Sequence, residues 1–122
     1  MDRVFFALGS LFAFLAVALG AFGAHALRNS FASGMAEVYE TGVRYQFFHA
    51  LALFAVVFAM TYWKSTSASL AGWLFVAGII LFSGSLYVLS ITGIRVFGAI
   101  TPLGGLAFLA GWLVLGWTVL RA

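Results

Sequence analysis

With 122 residues, 65% of them hydrophobic, and only six basic against three acidic side chains, the chain cannot build a water-facing surface, since soluble domains carry around a quarter charged residues. The net charge of +3 comes from basic residues scattered near the ends of apolar blocks, where they flank a membrane rather than form a nucleic-acid surface. The absence of cysteine removes disulfides, thiolate catalysis and thiolate metal sites together.

The apolar residues fall into blocks over residues 4–27, 47–63, 70–91 and 102–120, each close to the roughly 20-residue helix that crosses a bilayer. In lipid the backbone must satisfy its own hydrogen bonds, which open strands and loops cannot do. The expected fold is therefore all-α: an integral membrane, antiparallel four-helix bundle that uses residues 1–122 as one transmembrane domain. Ala24-His25-Ala26 resembles a signal-peptidase site, but the apolar run before it exceeds the roughly 7–15 residues of a signal core, so the first block reads as a retained span.

Span one carries a stripe of small residues, Gly9, Ala13, Ala16, Gly20 and Gly23, at alternating spacings of four and three. Such a face allows backbones to pack closely where lipid offers no hydrophobic drive for association. The first connection, Arg28–Gln46, is the longest and most polar, and Met35–Gln46 within it reads as an amphipathic helical lead-in to span two. Glu40 and Arg44 stand four apart with the acid first, the favourable order for a helical ion pair. Span two then carries His49 near its start and ends on Tyr62 and Trp63, which suit an interfacial aromatic belt.

Span three repeats the small-residue device at Ala71, Gly78, Ser85 and Thr92, seven apart, and span four at Gly104, Gly111 and Thr118. A seven-residue period predicts left-handed packing near +20°. Gly93 suits the left-handed position that ends a helix. Arg95–Ile100 is too apolar for a water loop and should pack on the bundle near an interface. Thr101-Pro102 reads as N-cap and first helical residue of span four. Gly9, Gly20, Gly23, Gly78, Ser85, Gly104 and Gly111 are the expected helix-packing positions.

The candidate polar cluster is His25, Glu37, Glu40, Arg44, Tyr45, Gln46 and His49. The two histidines sit just inside the same membrane face on consecutive helices and are expected to approach one another. Ionisable groups in spans point to function by default, as a proton relay, a metal pair or axial ligands of a haem. Against this, neutral imidazoles also tie helices together, and two histidines without cysteine or an intramembrane acid are a poor metal set. Arg44 with Glu37 and Glu40 is either an anion-binding mouth or an interfacial ion pair that orients span two. Ser83 and Ser85 lack a base in their own span, and close packing accounts for them. No catalytic residue, metal site or cofactor is assigned.

Four segments in order, Gly20–His25, Tyr39–Leu53, Phe82–Tyr87 and Ile100–Gly105 with Gly111-Trp112, resemble the YgdD/YwdK-type family of small four-span bacterial inner-membrane proteins of uncharacterised function. The resemblance covers essentially the whole chain. It implies a four-helix membrane protein with His25, Arg44, Gln46, His49, Ser83, Ser85, Thr101 and Pro102 as signature positions, and it brings no activity, substrate or cofactor.

Scarce midplane polarity argues against a pore. The leading reading is a structural, accessory or interaction protein of the bilayer, with membrane lipids as partners and possible homo-oligomers or larger membrane complexes. The alternative is lipid or small-molecule binding or transport through the cluster around His25, Arg44 and His49; a haem-binding protein or membrane enzyme is the lesser alternative. The expected location is the bacterial inner membrane. Arg3, Lys64 and Arg121 flank one side and Arg28, Arg44 and Arg95 the other. Engagement of Arg28 and Arg44 by the acids breaks this tie toward cytoplasmic termini.

Overall fold

A computed structural model describes residues 1–31 and 34–122. Its helices are α1 (Asp2–His25), α2 (Ala36–Tyr62), α3 (Ala68–Gly78), α4 (Gly84–Thr92) and α5 (Thr101–Arg121). A π-helical turn, Ile79–Ser83, joins α3 to α4, and a 3-10 turn, Arg95–Ala99, precedes α5. The described residues are helical or in turns, without a strand, and give four helices long and apolar enough to cross a membrane. The chain is an all-helical membrane protein.

The amphipathic lead-in does not lie apart from the second span. It is the first part of one continuous 27-residue helix, α2, because neither glycine nor proline breaks the apolar-polar pattern between Ala36 and Phe47 except Gly42, which is packed. Helix α2 occupies the centre of the bundle and touches α1, α3, α4 and α5. Helix α1 lies against α2, and α5 packs along α3 and the π-turn. Phe5, Leu53, Val56 and Phe75 are fully enclosed at the core, while one side of α5, including Leu106, Leu109, Leu113 and Trp117, faces outward to the lipid.

Lipid tails are as apolar as leucine, so close packing and hydrogen bonds must hold these helices together. The glycines show how. A Cβ on Gly9 would come within 3.0 Å of the Ala50 carbonyl. Cβ atoms on Gly23 and Gly78 would enter the rings of Tyr39 and Phe108, and one on Gly111 would lie 2.7 Å from Phe75. Gly104 is the position least able to yield, since its Cβ would overlap the amide nitrogen of Phe82 and lie 2.7 Å from its Cα, both backbone atoms. Gly42 and Gly72 do the same work against Tyr87 and Phe5, although the sequence pattern did not mark them.

Gly20 meets the neighbouring helix as expected, though its Cβ would touch the Val43 side chain alone, at 3.3 Å. Two expectations are corrected. Thr92, the last member of its stripe, is exposed and donates back to the Val88 carbonyl at 2.7 Å. Thr101 is not the N-cap. Helix α5 starts at Thr101 with Ile100 as cap and Pro102 in the first turn, and the Thr101 hydroxyl instead meets Ser85 Oγ at 2.6 Å across helices. Ser85 Oγ also lies 2.9 Å from the Phe82 carbonyl, which can only accept. Ser85 therefore gives its proton to that carbonyl and takes one from Thr101. Gly93 does adopt the left-handed conformation, at φ 70°, and Arg95–Ala99 folds against α4 and α5.

Candidate functional site

The sequence-selected polar cluster divides into two groups with different chemistry, because α2 turns about 100° per residue. Arg44 and His49 are five residues apart and so point in directions about 140° different. One group is buried and fully partnered; the other lines a groove.

The buried group begins with His49, which stacks on Phe108 at 3.6 Å between ring centroids. Its Nδ1 lies 2.8 Å from the Tyr45 carbonyl. A carbonyl accepts only, so Nδ1 carries the proton and Nε2 is left as acceptor. Trp112 Nε1 fills it, donating at 3.0 Å. The lone pair that a metal or haem iron would take is thus already in use. Three residues earlier, Gln46 Nε2 donates to the Phe12 carbonyl at 2.9 Å, and its Oε1 accepts from the Tyr87 hydroxyl at 2.6 Å. Ser83 Oγ donates to the Gly42 carbonyl at 2.6 Å, and the Tyr39 hydroxyl to the Leu19 carbonyl at 2.6 Å. Among the described residues no buried side-chain nitrogen or oxygen lacks a partner. These groups tie α2 to α1, α4 and α5, and each has a protein partner. Tyr45 belongs to the same side, its ring 4.9 Å from that of Phe82.

The second group lies between the C-terminal half of α1 and the N-terminal half of α2, around a groove of about 910 Å³. At its mouth stand His25, Arg28, Glu40 and Arg44, and deeper in lie Ala16, Val17, Gly20, Val43 and Phe47. His25, Arg28, Glu40 and Arg44 are all exposed. The expected Glu40–Arg44 ion pair is not formed: among the described residues the one ion pair joins the N-terminal ammonium to Asp2, at 3.9 Å. An exposed pair of this spacing is worth only about 0.2–0.5 kcal/mol, too little to hold two long side chains in one geometry. Glu37 is exposed and does not line the groove. Arg28, outside the expected cluster, does.

The histidines are not brought together. Gly23 faces the Tyr39 ring, so His25 lies beside the start of α2, whereas His49 is ten residues beyond Tyr39, about 15 Å along the helix axis. His49 also faces α5, away from the groove. The topological argument placed both at one end but left out the rise along α2, which is longer than the expected span by its whole lead-in.

No solved structure matches the chain. It is 51% identical over 114 residues to the UPF0382 membrane protein YwdK of Bacillus subtilis, covering 93% of each chain. It is 46% identical over 114 residues to the UPF0382 membrane protein SSP2132 of Staphylococcus saprophyticus, again covering 93% of each. With SH2409 of Staphylococcus haemolyticus the identity is 44%, covering 93% of this chain and 92% of the relative. Residues 19–105, which hold α2, the groove mouth, the π-turn and Gly104, match the family described as protein of unknown function DUF423, and with these relatives they make the chain a member of that family of membrane proteins.

Proposed function

We propose that the protein is a lipid-binding membrane protein that seats one phospholipid in the groove between α1 and α2. The observation that carries this reading is the pairing of two carboxylate-free arginines, Arg28 and Arg44, at the mouth with an apolar floor behind them. The dimensions agree with it. From His25 to Ala16 the groove follows nine residues of α1, about 14 Å at ~1.5 Å per residue, close to half of the ~30 Å hydrocarbon core. A groove that runs from headgroup depth to the midplane matches a lipid of one leaflet better than a small soluble anion. The buried polar groups, all partnered, favour no competing site.

The location proposed is the bacterial inner membrane; with Arg28 and Arg44 unpaired the flanking basic residues balance three against three, so cytoplasmic termini put the groove in the outer leaflet and external termini put it in the inner one. Fusions of a cytoplasmic fluorescent reporter and a secreted phosphatase to the C-terminus separate the two orientations.

Native mass spectrometry of protein released from lipid nanodiscs tests the binding. The wild type should retain one phospholipid. Arg28→Gln and Arg44→Gln should each lower retention by up to about fivefold, from the ~0.2–1 kcal/mol of one exposed ion pair. Gly20→Leu, which fills the chain-binding part, should lower it while leaving both arginines in place. Equal retention by all four proteins would reject the groove as a lipid site.

A further inference from the structure

We propose that the lipid is a zwitterionic aminophospholipid, its phosphate held by Arg28 and Arg44 and its ammonium by Glu40. The assignment rests on the lipid-binding reading above and names the headgroup it selects. Glu40 lines the same mouth as the two arginines, is exposed, and stays free of Arg44 although the helical spacing and order favour a pair. The mouth therefore offers two separate positive groups and one separate negative group. A headgroup with only negative charge would meet the arginines but set its phosphate near the Glu40 carboxylate, and like charges that close repel. A phosphate carrying a primary ammonium on a short arm satisfies all three groups at once. The ammonium gives three hydrogen-bond donors to a carboxylate that has none, and the guanidinium forks give paired donors to the phosphate.

Two neighbouring groups do not compete for these roles. The Tyr39 hydroxyl on the groove wall is spent on the Leu19 carbonyl. Glu37, the nearest other acid in sequence, does not line the groove. Selection among headgroups thus falls on Glu40, while affinity falls on the arginines and the apolar floor.

The test uses the full chain in nanodiscs that hold equimolar phosphatidylethanolamine and phosphatidylglycerol with identical acyl chains, followed by native mass spectrometry. The wild type should retain the ethanolamine lipid in excess. Glu40→Gln should lower the ethanolamine-to-glycerol ratio roughly two- to fivefold, the range expected for one exposed ion pair. Glu37→Gln should leave the ratio unchanged. Glu40 makes no side-chain contact that the fold needs, and an unchanged melting temperature for Glu40→Gln confirms that the fold is intact. A wild type that favours the glycerol lipid, or a ratio unmoved in Glu40→Gln while one lipid stays bound, overturns the headgroup assignment and leaves the groove standing. A protein that retains neither lipid overturns the groove reading and this assignment with it.

Discussion

Replacing Gly104 with alanine should destabilise the bundle more than any other single added methyl. The new Cβ would overlap the backbone nitrogen of Phe82 and lie 2.7 Å from its Cα and Cβ, against the roughly 3.5–4.0 Å at which carbon atoms rest. Two of these atoms are backbone, so no rotamer change relieves the overlap, and α5 must retreat by about 1 Å. The retreat also loosens the seam on either side, where Phe108 covers Gly78 and Gly111 covers Phe75, and stretches the 2.6 Å bond from Thr101 to Ser85. Overpacking of this kind costs about 1–3 kcal/mol, and a membrane hydrogen bond averages about 0.6 kcal/mol. Up to about 1 kcal/mol returns through the better helix propensity of alanine. The net loss expected is about 1–3 kcal/mol, read from unfolding in mixed micelles of dodecyl maltoside and SDS. Gly116→Ala is the control, since nothing lies within 4 Å of its Cβ, and it should be neutral or slightly stabilising. Wild-type stability for Gly104→Ala, or a larger loss for Gly116→Ala, would refute the reasoning.

A double-mutant cycle of His49→Leu and Trp112→Phe should show a coupling of about 0.6–1.7 kcal/mol, and zero coupling would mean that the ring-to-ring hydrogen bond contributes nothing. Gln46→Leu should cost about 1–3 kcal/mol by stranding the Tyr87 hydroxyl and removing the donor to the Phe12 carbonyl, and adding Tyr87→Phe should restore part of it; a further drop would contradict the paired arrangement. Gly23→Ala should destabilise through the Tyr39 ring, whereas Gly20→Ala, whose Cβ meets Val43 alone at 3.3 Å, should change stability by well under about 1 kcal/mol. Equal losses at the two positions would mean that α1 and α2 are as close at Gly20 as at Gly23.

The membrane class and helix count were legible because they follow from composition and block length, which no tertiary contact can override. The tight glycines were legible where they repeated at four and three or at seven, as at Gly9, Gly23, Gly78, Gly104 and Gly111. Gly42 and Gly72 belong to no stripe of small residues, and the partner rings of Tyr87 and Phe5 mark them as tight. Trp112 went unassigned for a similar reason. It is exposed over much of its surface, and its single buried role is a proton donated to a residue 63 positions away. The signal for Tyr39, Gln46 and His49 was present in the sequence, since Tyr39, Gly42, Gln46, His49 and Leu53 follow a three- and four-residue rhythm that marks one inward side of α2. The expected cluster instead grouped Gln46 and His49 with Arg44 and left Tyr39 out.

The same rhythm explains why the polar cluster could not be one site. Residues 40 and 44 share one face of α2, and 46 and 49 share another, so a single helix cannot bring Arg44 and His49 to one ligand. What separates structural from functional polarity here is whether the hydrogen-bonding capacity is spent. His49, Gln46, Ser83, Tyr39 and Tyr87 each meet a protein partner within 3.0 Å, which is what polar groups packed between helices in lipid must do. Arg28, Glu40 and Arg44 face outward at the end of an apolar groove with their charges uncommitted. Among the described residues the buried side-chain polar atoms are all partnered, whereas these three charges line a groove without an ion pair, and that contrast is the ground of the lipid-binding proposal.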